Sequence, residues 1–207
     1  MAPWARSVTI RRMLLGIVVG AIWLGASWGG LAWLALYANA PGPTAQVVSE
    51  WPVDSKLRLS EQGDTLILFA HPHCPCTRAT LGELDKIVAR YRGAVTTWVV
   101  FLKPTDSDES WEQSDLRDAA AMIPDAHIVS DLGGVEARRF HATTSGQTFL
   151  YSDQGRLLFN GGITLARGHA GDNPGRLAIE SYLSGAVPLC RQTPVFGCPI
   201  AVSPEQE

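Results

Sequence analysis

A chain of 207 residues with 17 basic and 20 acidic side chains has a formal charge of −3, which excludes the strongly basic surface that nucleic-acid binding requires. After residue 40 the balance is 14 basic against 20 acidic residues, a formal charge of −6. That stretch has no internal repeat or low-complexity tract and is long enough for one domain with its own core.

Residues 1–12 contain Arg6, Arg11 and Arg12 and read as a cytoplasmic N-terminus, followed by the uncharged run Met13 to Tyr37. As a helix of 25 residues this run would reach roughly 38 Å, enough to cross a bilayer core of about 30 Å. Two readings fit, because Ala38-Asn39-Ala40 resembles a signal-peptidase site. The run exceeds the usual signal core, and Trp residues near Tyr37 suit a membrane interface, so an uncleaved anchor is favoured. Either way the arginines stay inside, and the rest of the chain is expected on the outer side of a bacterial inner membrane. Residues 38–59 read as a tether starting at Pro41-Gly42-Pro43.

Residues 64–70 and 95–102 are near-continuous apolar runs, as in strands covered on both faces. Between them Leu81, Leu84, Val88 and Tyr91 recur at helical spacing, predicting an amphipathic helix from about Pro75 to Arg92 and hence a βαβ unit. A helix over 109–122, a strand over 126–130 and a short helix over 135–140 follow. Gln147 to Tyr151 and Arg156 to Phe159 flank Ser152-Asp153-Gln154-Gly155, the pattern of an antiparallel hairpin. Asn173, Pro174 and Gly185 mark the cap, first turn and stop of a last helix.

Cys74 and Cys76 fall where the first strand ends and a helix begins, in Leu66-Ile67-Leu68-Phe69-Ala70-His71-Pro72-His73-Cys74-Pro75-Cys76-Thr77. Unpaired N–H groups and the helix dipole at such a junction stabilise a thiolate, so the sequence predicts a reactive sulfur there. The pair can meet if Cys74 is the N-cap, since two fully helical residues at that spacing point about 200° apart. Four cysteines in an exported domain allow three pairings. Chain entropy gives roughly 1.6 kcal/mol for closing the three residues 74–76 and roughly 2.6 kcal/mol for the nine residues 190–198. A Cys74–Cys76 bridge is therefore expected to be labile, and a Cys190–Cys198 bridge structural.

The element order, the motif His71-Pro72-His73-Cys74-Pro75-Cys76, the stretch Glu136-Ala137-Arg138-Arg139-Phe140-His141 leading to Thr148-Phe149-Leu150-Tyr151-Ser152-Asp153-Gln154-Gly155-Arg156, and Gly161-Gly162-Ile163-Thr164 resemble the thioredoxin-like superfamily. They are most similar to its membrane-tethered, peroxiredoxin-like branch and to RedB-type proteins. The resemblance implies a three-layer α/β/α sandwich over residues 60–187, preceded by the membrane helix, with residues 188–207 as a tail holding the Cys190–Cys198 loop. It also implies thiol–disulfide exchange with exported protein thiols or disulfides, without a cofactor. Aligned on the family, Cys74 takes the nucleophile position but Thr77, not Cys76, the resolving position. Gly146, after Ser145, takes the place of the substrate-facing cis-proline and would loosen that groove. Leu68 takes the place of the buried acid, leaving His71 or His73 for proton transfer.

Cys74 is thus expected to attack a partner disulfide and Cys76 to resolve it. A different chemistry uses His71, His73, Cys74 and Cys76 as soft ligands for copper or another soft metal ion. A peroxidase is disfavoured because His71 and Ile67 stand where peroxiredoxins place Thr and Pro. The polar loop from Arg167 to Asn173 either caps the last helix or brings Arg167 or His169 beside the thiols, lowering a thiolate pKa. His127, His141, Trp51, Trp98, Trp111 and the acidic stretch Asp106 to Glu112 read as packing and surface residues.

Overall fold

The computed structural model describes residues 3–43 and 45–200. Of the expected segments, residues 1–2, Thr44 of the tether and residues 201–207 of the tail lie outside that set. The chain divides into two units, before and after residue 38. The first is a helix, α1 (Pro3–Asn39), whose stretch Arg11–Asn39 is long and apolar enough to cross a membrane.

The second unit is built on five strands: β1 (Asp64–Ala70), β2 (Val95–Lys103), β3 (Ala126–Leu132), β4 (Gln147–Tyr151) and β5 (Leu157–Gly161). Their order is β3-β2-β1-β4-β5. β1, β2 and β3 run parallel, while β4 is antiparallel to β1 and β5 antiparallel to β4. The apolar runs of β1 and β2 are explained by their central place, with both faces covered.

On one face α2 (Thr77–Arg90), α3 (Asp115–Ala121) and α5 (Pro174–Leu183) bury Leu84, Ile87, Leu116 and Ile179 against Leu66, Leu68, Val99 and Phe101. On the other face α4 (Val135–Arg139) and the chain before β1 cover Ile67, Phe69, Val100 and Phe149 with Ala137, Phe140 and Leu57. The three-layer α/β/α sandwich is the one expected. The segment read as a tether packs on this second face. Trp51 N–H donates to Gly155 O at 2.8 Å, Leu157 N–H donates to Ser49 O at 2.8 Å, and the Trp51 ring meets Phe140 and Tyr151 edge-on.

Two local expectations are corrected. The helix over 109–122 is divided into a 3-10 turn, Glu109–Glu112, and α3, because Ser114 is extended and its hydroxyl caps Arg117 N–H. Cys74 is not a helix cap. Cys76 is the N-cap residue of α2, with helical backbone and no side-chain cap, and Thr77 N–H closes a preceding turn on Cys74 O at 3.0 Å. The last helix follows its signals: Asn173 Oδ1 accepts from Arg176 N–H at 2.8 Å, and Gly185 turns at φ +75°.

Candidate active site

β1 delivers the chain to the loop 71–76, whose irregular backbone buries Cys74 while leaving Cys76 half-buried. Cys74 is only 1% exposed. Burial alone would push its thiol up, but donors from the Thr77 hydroxyl, the Cys198 backbone and thiol, and Ser145 overcome it and lower the pKa to about 7. The Thr77 and Ser145 hydroxyls lie 2.7 Å apart, and Ser145 Oγ also accepts from His71 N–H at 2.8 Å. The two hydroxyls therefore form a fixed polar cradle under the sulfur.

Cys198 is the residue that sequence reasoning misplaced. All four cysteines are free thiols, and the expected Cys190–Cys198 bridge is not formed. Cys190 Sγ points to Pro174 O at 3.9 Å, whereas Cys198 makes contact with Cys74. The reason is the path of the tail. It pairs with β5, where Asn160 N–H donates to Arg191 O at 3.0 Å and Thr193 N–H to Asn160 O at 3.3 Å. It then pairs antiparallel with 143–145 through the Thr144–Pro199 bridge. One end of this run thus sits beside the start of α5 and the other beside Cys74. Burial, then the hydrogen bond and charge of Cys74, push the Cys198 thiol up to about 11. The two thiols therefore titrate as a coupled pair.

Cys76 lies beside Cys74 and Arg167. Burial and the neighbouring Cys74 charge push its thiol up, against the pull of the Arg167 guanidinium. Of the two loop residues proposed from sequence, Arg167 reaches the thiols; the exposed His169 ring turns back to Arg167 O at 3.4 Å. The loop is fixed from below by Glu83, which is 0% exposed. Glu83 accepts from Gly171 N–H at 2.8 Å and pairs with Arg176 at 2.8 Å.

The two histidines are placed differently from their expected role. The rings of His71 and His73 meet Trp111 edge-on at 5.5 Å and 4.8 Å, and His71 Nδ1 accepts from His73 N–H at 3.1 Å. Burial, then His73, push the His71 pKa below the ordinary imidazole value. His71, His73, Cys74 and Cys76 do not converge as ligands. Among the described residues no group of three or more His, Cys, Asp or Glu side chains is placed to hold a metal ion.

The groove position also differs from expectation. Gly146 has φ +95°, a conformation open to glycine, and its N–H donates to Phe69 O at 2.8 Å. The edge beside it is filled, because Ser145 N–H donates to Cys198 O at 2.8 Å and Ile200 N–H to Thr143 O at 2.8 Å.

The parallel β1–α2–β2 unit, the antiparallel β4–β5 hairpin and the strand order β3-β2-β1-β4-β5 define the architecture. The fold is thioredoxin-like. An uncharacterised conserved protein from Geobacillus kaustophilus is similar at a TM-score of 0.60 and 18% identity, over 81% of this chain and 95% of that one. A hypothetical protein from Sinorhizobium meliloti is similar at 0.57 and 20%, over 80% and 96%. A secreted Mycobacterium tuberculosis disulfide oxidoreductase matches at 0.45 and 16%, over 61% and 84%. No protein-family model and no curated protein matches the chain.

Proposed function

We propose that this chain is a membrane-anchored, extracytoplasmic thiol–disulfide oxidoreductase of RedB type that uses Cys74 as its nucleophile on exported protein thiols or disulfides. The observation that supports it is the donor set around one buried sulfur, which holds its pKa at about 7 against burial. A thiolate so poised attacks disulfides efficiently, because it is substantially ionised at neutral pH while keeping its nucleophilicity. Thr77 and Ser145 stabilise the charge that Cys74 carries before attack and recovers on release. Cys76 and Cys198, whose thiols are both pushed up, supply the second thiol that a dithiol cycle requires.

The test is reduction of a glutathionylated peptide by the full-length chain in detergent, with Cys74→Ser as control. Exchange should fall at least 100-fold in Cys74→Ser. Unchanged turnover in that variant would overturn the reading. In the unmodified chain the rate should climb with pH through about 7, following the Cys74 thiolate.

A further inference from the structure

We propose that Cys198, delivered by the C-terminal tail, is the resolving thiol of Cys74, so that the redox-active disulfide of this protein is Cys74–Cys198 and not Cys74–Cys76. The inference rests on the exchange chemistry proposed for Cys74 and deepens it.

Four features bring the tail to this place. Its backbone is laid as a short antiparallel strand against 143–145, through Ser145 N–H to Cys198 O and Ile200 N–H to Thr143 O, each 2.8 Å. Apolar anchors flank the cysteine, with Val195 and Ile200 both buried, Ile200 among Phe140, Ala142 and Leu57. Gly197 lets the two backbones close: a Cβ there would stand 1.9 Å from Ser145 O. Arg167 Nη1 donates to Gly197 O, tying the same turn to the loop beside Cys76. The result is that Cys198 presents both its backbone and its thiol to the Cys74 sulfur.

Cys76 is worse placed for the same task. Its thiol also hydrogen-bonds Cys74, but its backbone is helical and Thr77 N–H already closes a turn on Cys74 O, so a bridge between the two would have to close a ring of only three residues. So small a ring strains the turn that leads into α2. A bridge to Cys198 joins two separate segments and leaves α2 intact.

The tail also covers the nucleophile, which is why Cys74 is buried at a place where a partner must reach it. The cycle begins when the tail lifts. The Cys74 thiolate attacks one sulfur of a partner disulfide, forming a Cys74–partner bond and expelling the other partner sulfur as a thiolate, which takes a proton from solvent. The tail returns and Cys198, losing its proton to solvent, attacks Cys74 Sγ; the Cys74–partner bond breaks and the partner leaves as a second thiol after taking a proton. The partner disulfide gains two electrons and becomes two thiols, while Cys74 and Cys198 lose two electrons and become a disulfide. Run in reverse, the same steps oxidise a partner dithiol.

The test uses the full-length chain in detergent, equilibrated with glutathione redox buffers, acid-quenched, alkylated and digested with trypsin. Cleavage at Arg78 and Arg191 leaves Cys74 with Cys76 on one peptide and separates Cys190 from Cys198. Oxidation should link the Cys74 peptide to the Cys198 peptide in both the unmodified chain and Cys76→Ser. In Cys198→Ser, glutathione should accumulate on Cys74, with turnover at least tenfold lower. Gly197→Ala, which displaces the tail while keeping every thiol, should raise the alkylation rate of Cys74 at least tenfold and slow resolution. A Cys74–Cys76 bridge in the unmodified chain, or full turnover in Cys198→Ser, would overturn the tail's role while leaving exchange at Cys74 standing. Failure of Cys74 to take up glutathione in every variant would overturn both.

Discussion

The sulfur of Cys74 is stabilised by donors that can be removed one at a time. Thr77 is the foremost of them, and it stands where the resemblance expects a resolving cysteine, so this chain has a hydroxyl donor in place of a thiol. A hydrogen bond to a charged group is worth about 1.5–3 kcal/mol, and one pKa unit corresponds to about 1.4 kcal/mol. Thr77→Val should therefore raise the Cys74 pKa by about one unit, read from thiolate absorbance against pH in the reduced protein. An unmoved midpoint would mean that the hydroxyl does not donate to the sulfur. The same site sets a pH dependence of stability. The folded pKa of about 7 lies below the ordinary 9.0, so the fold favours the thiolate; its contribution is complete above about 9 and is lost as pH falls through 7. Reduced protein should gain resistance to urea between pH 7 and 9, and Cys74→Ser should flatten that gain.

The loop carrying Arg167 is held by a network between α2 and α5. Glu83 is fully buried and pairs with Arg176 at 2.8 Å, and Arg176 in turn pairs with Glu180 at 2.8 Å. Removing the partner of a buried charge is costly, on the order of 3–5 kcal/mol, although Lys86 at 2.7 Å remains to soften the loss. Arg176→Met is expected to lower unfolding stability by about 3 kcal/mol, measured by urea denaturation; a change below about 1 kcal/mol would show that the network does not pin α5 to α2. Elements of this kind differ in how far the sequence reveals them. The central strands were legible because burial on both faces leaves an uninterrupted apolar run, and α5 was legible from the Asn173 cap and Gly185 stop. The break between Glu112 and Asp115 was not, because Ser114 competes for Arg117 N–H at a point where the helical pattern itself continues. Cys74 was legible because its position depends on neighbours in the chain. Cys198 was not, because its placement depends on the tail pairing with 143–145, which no local spacing encodes, and the short interval from Cys190 favoured a local bridge instead.

The two units of the chain answer to different solvents. In α1 the run from Met13 to Tyr37 is apolar on every side of the helix, and a single helix cannot cover its own side chains. Burying each large apolar side chain is worth about 1.5–3 kcal/mol, so the whole run favours a bilayer strongly over water, as an all-round apolar helix does. The domain after it carries an excess of acid, and the thiol exchange proposed for it requires a compartment where disulfides persist. Arg6, Arg11 and Arg12 precede the run, and basic residues at one end of a first helix bias that end toward the cytoplasm. Orientation and redox chemistry therefore make the same demand, and one experiment tests both. A phosphatase reporter that needs its own disulfides, fused after residue 207 in a bacterial host, should be active with the natural N-terminus. Replacing the three arginines with glutamate should reduce that activity severalfold. An inactive reporter on the natural chain would place the domain in the reducing compartment, where Cys74 would rest as a thiolate without an oxidised partner to attack.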